Sequence, residues 1–115
     1  MAARTTNQPT RGLSTRTLEH ASETLRVLAH PLRLKLLERL RREPMSVSAL
    51  AAQVRQPHHL VSQHLNHLRR YGIVARQRHG REVHYRLHDT HAAAILDWIH
   101  RRQFDDTLFQ GGEAI

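Results

Sequence analysis

The chain has 115 residues, of which 39% are hydrophobic, enough for one small domain with one core and too little for a multidomain enzyme. Eighteen basic residues against ten acidic give a net charge of +8, a balance that predicts a polyanionic partner. The absence of cysteine excludes disulfides, zinc ribbons, iron–sulfur clusters and thiol switches. The apolar runs are too short to span a bilayer and the N-terminus lacks a signal-peptide pattern, so the expectation is a cytoplasmic protein with no membrane partner.

Aromatic residues make up only 4%, and a core of Leu, Val, Ile and Ala at this length points to packed helices. Residues 1–14 show no apolar periodicity and read as a flexible arm. From about Thr15, Leu18, Ala21, Leu25 and Leu28 recur at three- and four-residue steps and predict an amphipathic helix that stops before His30 and Pro31. Pro31 suits the first turn of a second helix, with Leu32, Leu36, Leu37 and Leu40 in one stripe, Leu34 widening it and Pro44 as the stop. Ser46 is a candidate N-cap for a short third helix that turns Val47, Leu50, Ala51 and Val54 inward and closes at Arg55-Gln56-Pro57. A fourth helix over 57–71 places Leu60, Val61, Leu65 and Leu68 on one face, with Gly72 as its C-terminal cap.

After Gly72 the period changes from helical to alternating. Val83, Tyr85 and Leu87 alternate with His84, Arg86 and His88 on the far side of His79-Gly80-Arg81-Glu82, which predicts a β-hairpin over 74–88. Asp89 or Thr90 then caps a last helix carrying Ala92, Ile95, Leu96, Ile99 and Phe104, with Trp98 beside them. The expected fold is mainly α with a β-hairpin wing, in the order α-α-α-α-β-β-α: one domain over 15–104 and a flexible tail over 105–115.

Charge is concentrated in the middle of the chain. Between Arg55 and Arg86 lie seven arginines and one acid, Glu82, a net +6 of the chain's +8. Opposite its apolar stripe, the fourth helix offers His59, Ser62, Gln63, Asn66 and Arg70, with His58 and His67 at the margins. These short or planar hydrogen-bonding groups suit base edges, whereas a merely solvated face would show glutamates and lysines in pairs. Arg78, Arg81, His79 and Arg86 in the hairpin could straddle an adjacent groove or backbone. Two short helices joined by a tight turn and followed by an arginine-rich hairpin follow the order of a winged helix-turn-helix. The acids lie scattered on helix exteriors, which argues against an enzyme. A winged helix that binds RNA or docks a protein is the alternative.

Over 18–104 the sequence resembles the ArsR/SmtB family of bacterial and archaeal transcriptional repressors. The matching segments are Leu28-Ala29-His30-Pro31-Leu32-Arg33-Leu34, Val47-Ser48-Ala49-Leu50-Ala51, Val61-Ser62-Gln63-His64-Leu65 with Leu68, Gly72-Ile73-Val74, and Gly80 with Tyr85-Arg86-Leu87. The resemblance implies a homodimer, joined through its first and last helices, that binds an imperfect inverted repeat in double-stranded DNA and releases it when an effector arrives. It also places Ser62, Gln63 and His64 on the base-contacting part of the recognition helix. His58 and His59 stand where the family commonly has Gln-Ser. The residues themselves also call for a dimer, because Leu18, Leu25, Ile95, Trp98 and Ile99 exceed what the short central helices can cover.

Eleven histidines invite a metal site. The family's thiolate sites are excluded here, since Ser46 and Ser48 stand near the cysteine position. Its zinc-type site begins correctly at Asp89-Thr90-His91, but Arg102 and Asp105 occupy the places of the later ligands. Arginine cannot shed its proton to coordinate, so an Asp89–Arg102 ion pair across the dimer is expected instead, with no metal or other cofactor. A histidine site for nickel, cobalt or zinc around Asp89, His91 and His100, with His84 and His88 nearby, is the competing expectation. Histidines beside phosphate should gain protons on binding, so that affinity rises as pH falls.

Overall fold

The structure, a computed structural model, describes residues 12–103. Its elements run α1 (Thr15–Leu28), α2 (Pro31–Leu40), β1 (Met45–Ser46), α3 (Val47–Val54), α4 (His58–Arg70), β2 (Val74–His79), β3 (Glu82–Leu87) and α5 (Thr90–Gln103). This is the expected order with one addition, the two-residue strand β1, which is too short to leave a periodic trace in sequence. The 105–115 tail, Phe104 and residues 1–11 of the arm lie outside the described residues.

Local chemistry sets most of the boundaries. Ser14 caps α1, its hydroxyl accepting the Thr17 N–H at 3.1 Å. His30 holds an extended backbone and caps α2, its Nδ1 accepting the Leu32 N–H at 3.2 Å, with Pro31 in the first turn. Ser46 caps α3 by accepting from the Ala49 N–H at 3.1 Å. That helix ends at Arg55, which takes the left-handed conformation (φ 56°) and turns the chain toward α4. The end of α4 is a Schellman closure: the Gly72 N–H donates to Arg69 O at 2.9 Å and the Ile73 N–H to Leu68 O at 3.0 Å. Gly72 supplies the required positive φ of 72°.

The sheet is antiparallel in the order β1-β3-β2. β2 and β3 pair from Val74 opposite Leu87 to His79 opposite Glu82, and Met45 of β1 pairs with Tyr85. Gly80, at φ 64°, opens the two-residue loop between the strands.

The core gathers Leu36, Leu37 and Leu40 of α2, Leu50 and Val54 of α3, and Val61, Leu65 and Leu68 of α4 against Ile73, Val74 and Tyr85. The terminal helices contribute little to it: Val27 and Leu28 from α1, Ala92 and Leu96 from α5. An ion pair between Arg41 and Asp97 also ties the end of α2 to α5. Among the described residues, no helix is long and apolar enough to cross a membrane.

Leu65 is completely buried whereas Leu13 is 69% exposed. Leu65→Ala should therefore cost about 2–5 kcal/mol in urea unfolding, while Leu13→Ala should stay within about 0.5 kcal/mol of the parent. Equal midpoints for the two variants would contradict this packing.

Candidate nucleic-acid interface

The recognition surface follows from how α4 is anchored. Val61, Leu65 and Leu68 are fully buried, so helical geometry turns the intervening positions toward solvent. His58, His59, Gln63, Asn66 and Arg70 are exposed there, while Ser62, His64 and His67 are half-buried. Pro57 offers no side-chain cap to the first turn of α4, which leaves backbone donors facing outward as at an anion-accepting helix start. Asn66, exposed on the same face, accepts from Arg69 Nη2 at 2.8 Å through its side-chain carbonyl.

His64 is held more closely than its neighbours. Arg33 Nε donates to its Nδ1 at 3.1 Å, and the ring of His30 lies 4.5 Å away, tilted by 57°. Burial pushes the His64 pKa below the ordinary imidazole value, with His30, Arg33 and His67 adding to the effect. His67 stacks on Tyr71 at 5.4 Å, and its pKa is also lowered, by burial first and then by Arg33 and Arg70. For these two histidines, the fold therefore opposes the proton gain expected of imidazoles beside phosphate.

In the wing, Arg78 and Arg81 are exposed, and Arg78 Nη1 donates to Gly80 O at 3.4 Å. His79 and His84 stack at 4.5 Å. Glu82, the single acid of the basic stretch, stays largely exposed, with His84 Nε2 3.0 Å from its carboxylate. Glu82 and His84 stand two apart on β3, so the pleat puts both side chains on one face of the strand.

Asp89 serves the start of α5, its Oδ1 accepting the His91 N–H at 2.8 Å while the His91 ring lies 3.3 Å away. Among the described residues no three His, Asp or Glu side chains group so as to hold a metal ion; Asp105 lies outside them. Arg102 sits 4.8 Å over the Trp98 ring. Of the residues expected at a subunit interface, Leu18 is 50%, Leu25 53%, Trp98 53% and Ile99 36% exposed, and Ile95 packs partly against the core.

Two helices joined by a tight turn, the second presenting a polar face without an acid, and a basic antiparallel wing after it define a winged helix-turn-helix DNA-binding domain. A family model described as a helix-turn-helix domain matches residues 28–77. The chain is 38% identical over 91 residues to the HTH-type transcriptional regulator NmtR of Mycobacterium tuberculosis, covering 79% of this chain and 76% of that protein. It is 44% identical over 79 residues to the HTH-type transcriptional repressor SmtB of the same species, covering 69% of this chain and 58% of the repressor. Among solved structures, HlyU from Vibrio cholerae matches with a TM-score of 0.71 at 30% identity, over 76% of this chain and 96% of that one. A homodimeric winged helix-turn-helix domain from Mycobacterium bovis, a possible ArsR-family regulator, shares the fold with a TM-score of 0.69 at 23% identity, over 83% and 91% of the two chains. The chain belongs to the ArsR/SmtB family of winged helix-turn-helix proteins and is a DNA-binding transcriptional regulator.

The lowered pKa values of His64 and His67 mean that the folded chain binds fewer protons than the unfolded chain just below the ordinary imidazole value. Their contribution to stability is complete above about pH 6.5 and is lost as pH falls toward the lowered values. Melting temperatures at about pH 7.5 and pH 5.5 should therefore differ more in the parent than in a His64→Gln, His67→Gln double variant. An identical acid loss in both proteins would contradict the assignment.

Proposed function

We propose that the protein is a cytoplasmic homodimeric repressor, not an enzyme, that binds an imperfect inverted-repeat operator with α4 in the major groove and the wing on adjoining backbone. The observation that carries this reading is the division of the surface. Leu18, Leu25, Trp98 and Ile99 leave apolar area exposed on the two terminal helices, while the DNA-facing side of α4 carries no acid. An open cleft of about 1190 Å³ runs along α1 beside Leu18 and Ala21 and reaches His91. Large apolar patches beside open space are what subunit association removes from water.

In this arrangement Ser62, Gln63 and Asn66 read base edges. Arg70, Arg78 and Arg81, with His58 and His59 at the start of α4 and His67 at its margin, engage phosphates and groove walls. Twofold symmetry would set two copies of α4 about one helical turn apart, so that an inverted repeat in the DNA mirrors the symmetry of the protein.

Ile99→Asp places a charge in the proposed seam, where unpaired burial costs several kcal/mol. It should yield monomers in sedimentation and abolish operator binding; a parent that sediments as a monomer at micromolar concentration would overturn the dimer. On DNA, Gln63→Ala should relax preference at one base pair by about 1–3 kcal/mol. Arg81→Ala should weaken all sequences alike and flatten the salt dependence. Equal effects of the two substitutions on specific and random duplexes would show that α4 is not the reading element.

A further inference from the structure

We propose that Arg33 and His64 form a latch that positions the recognition helix against the end of α1, with His64 acting through Arg33 rather than reading a base. The inference rests on the reading of α4 as the DNA-reading helix, and it takes His64 out of the base-contacting set that the family resemblance implies. Arg33 lies in the first turn of α2 and is half-buried. Its guanidinium makes two bonds in different directions: Nη1 donates to Val27 O at 2.8 Å, and Nε donates to His64 Nδ1 at 3.1 Å. Val27 is a buried residue in the last turn of α1, so one planar group joins the helix proposed for dimerisation to the helix proposed for base reading. Lysine, with a single ammonium, lacks the fork that meets two acceptors at once.

A second ring lies against His64. His30 lies 4.5 Å from it, and the His30 Nδ1 is already committed to capping α2 through the Leu32 N–H. His64 thus contacts two groups whose own positions are set by the α1–α2 junction. Tilting α1 at a subunit interface would carry Val27 O, then Arg33, then the His64 position of α4.

The bond from Arg33 also requires a lone pair on His64 Nδ1, which places the proton of the neutral ring on Nε2. A second proton would set an N–H against an N–H. The charged and titratable groups that act on His64 are His30 from the junction, Arg33 from α2 and His67 from α4 itself, and Arg33 and Arg70 act on His67. None is an acid that could stabilise the imidazolium. Acid should therefore open the latch.

The test uses the intact protein, the duplex upstream of its own coding sequence and a random duplex of equal length, with circular dichroism to confirm folding. Arg33→Ala and His64→Ala should each weaken binding to the upstream duplex about tenfold. The double variant should be no weaker than the weaker single, with unchanged preference across single-base-pair substitutions of the site. His64→Gln, which keeps an acceptor for Arg33 and cannot be protonated, should bind as the parent does near neutrality and lack the latch's acid-side loss. Additive losses, or a changed preference at one base pair in His64→Ala alone, would make His64 a base reader; parent-like binding by both alanine variants would remove any role in positioning.

NMR titration of the DNA-free protein tests the latch independently of the functional reading. Arg33→Ala should raise the His64 pKa toward its ordinary value, and protonation of His64 in the parent should move the Leu28 amide resonance next to Val27 O. A His64 titration unaffected by Arg33 overturns the latch. Failure of the parent to distinguish the upstream duplex from the random one would instead overturn operator recognition.

Discussion

Anchoring of α4 through Val61, Leu65 and Leu68 is the constraint on which the rest of the molecule depends. Those three side chains are completely buried, and once they are, helical periodicity leaves no choice about which residues face outward. Every other element serves that orientation. α2 and α3 build the apolar floor, the left-handed Arg55 sets the turn into the helix, and the Schellman closure at Gly72 and Ile73 ends it where the wing must begin. The result is a polar surface that strongly acidic DNA can approach, because α4 carries no acid.

A core this small cannot also satisfy two terminal helices. α1 and α5 enter it through two buried residues each, and their remaining large apolar side chains stay in contact with water within one protomer. Folding of the central domain and association of two chains are thus separate uses of the same kind of side chain, distinguished only by where helix geometry points them. In the proposed dimer the symmetry of the protein becomes the symmetry of the DNA site, and α1 becomes the element through which one function is felt by the other. Arg33, bonded to both Val27 O and His64, lies at the crossing of those two functions.

Much of this was legible in the sequence, for identifiable reasons. The leucine stripes, Pro31, Ser46 and Gly72 each express a local rule, and each produces its expected boundary: His30 and Ser46 cap the helices that follow them, and Gly80 turns the hairpin. The strand β1 was not legible, because two residues carry no period and their pairing with β3 depends on a chain segment nearly forty positions away. The polar face of α4 was legible as a face, yet the distinct setting of His64 within it was not. Sequence spacing places His64 beside Gln63 on the same helix, but only the tertiary fold brings Arg33 from thirty-one positions away to occupy its Nδ1.

Hydroxyl-radical footprinting of the protein on the duplex upstream of its own coding sequence tests the central claim most directly, that two copies of α4 are presented to DNA by one symmetric assembly. The account predicts two protected patches related by an inverted repeat, on one side of the duplex and about 10 base pairs apart centre to centre. A single patch, or even protection along the whole duplex, would contradict it.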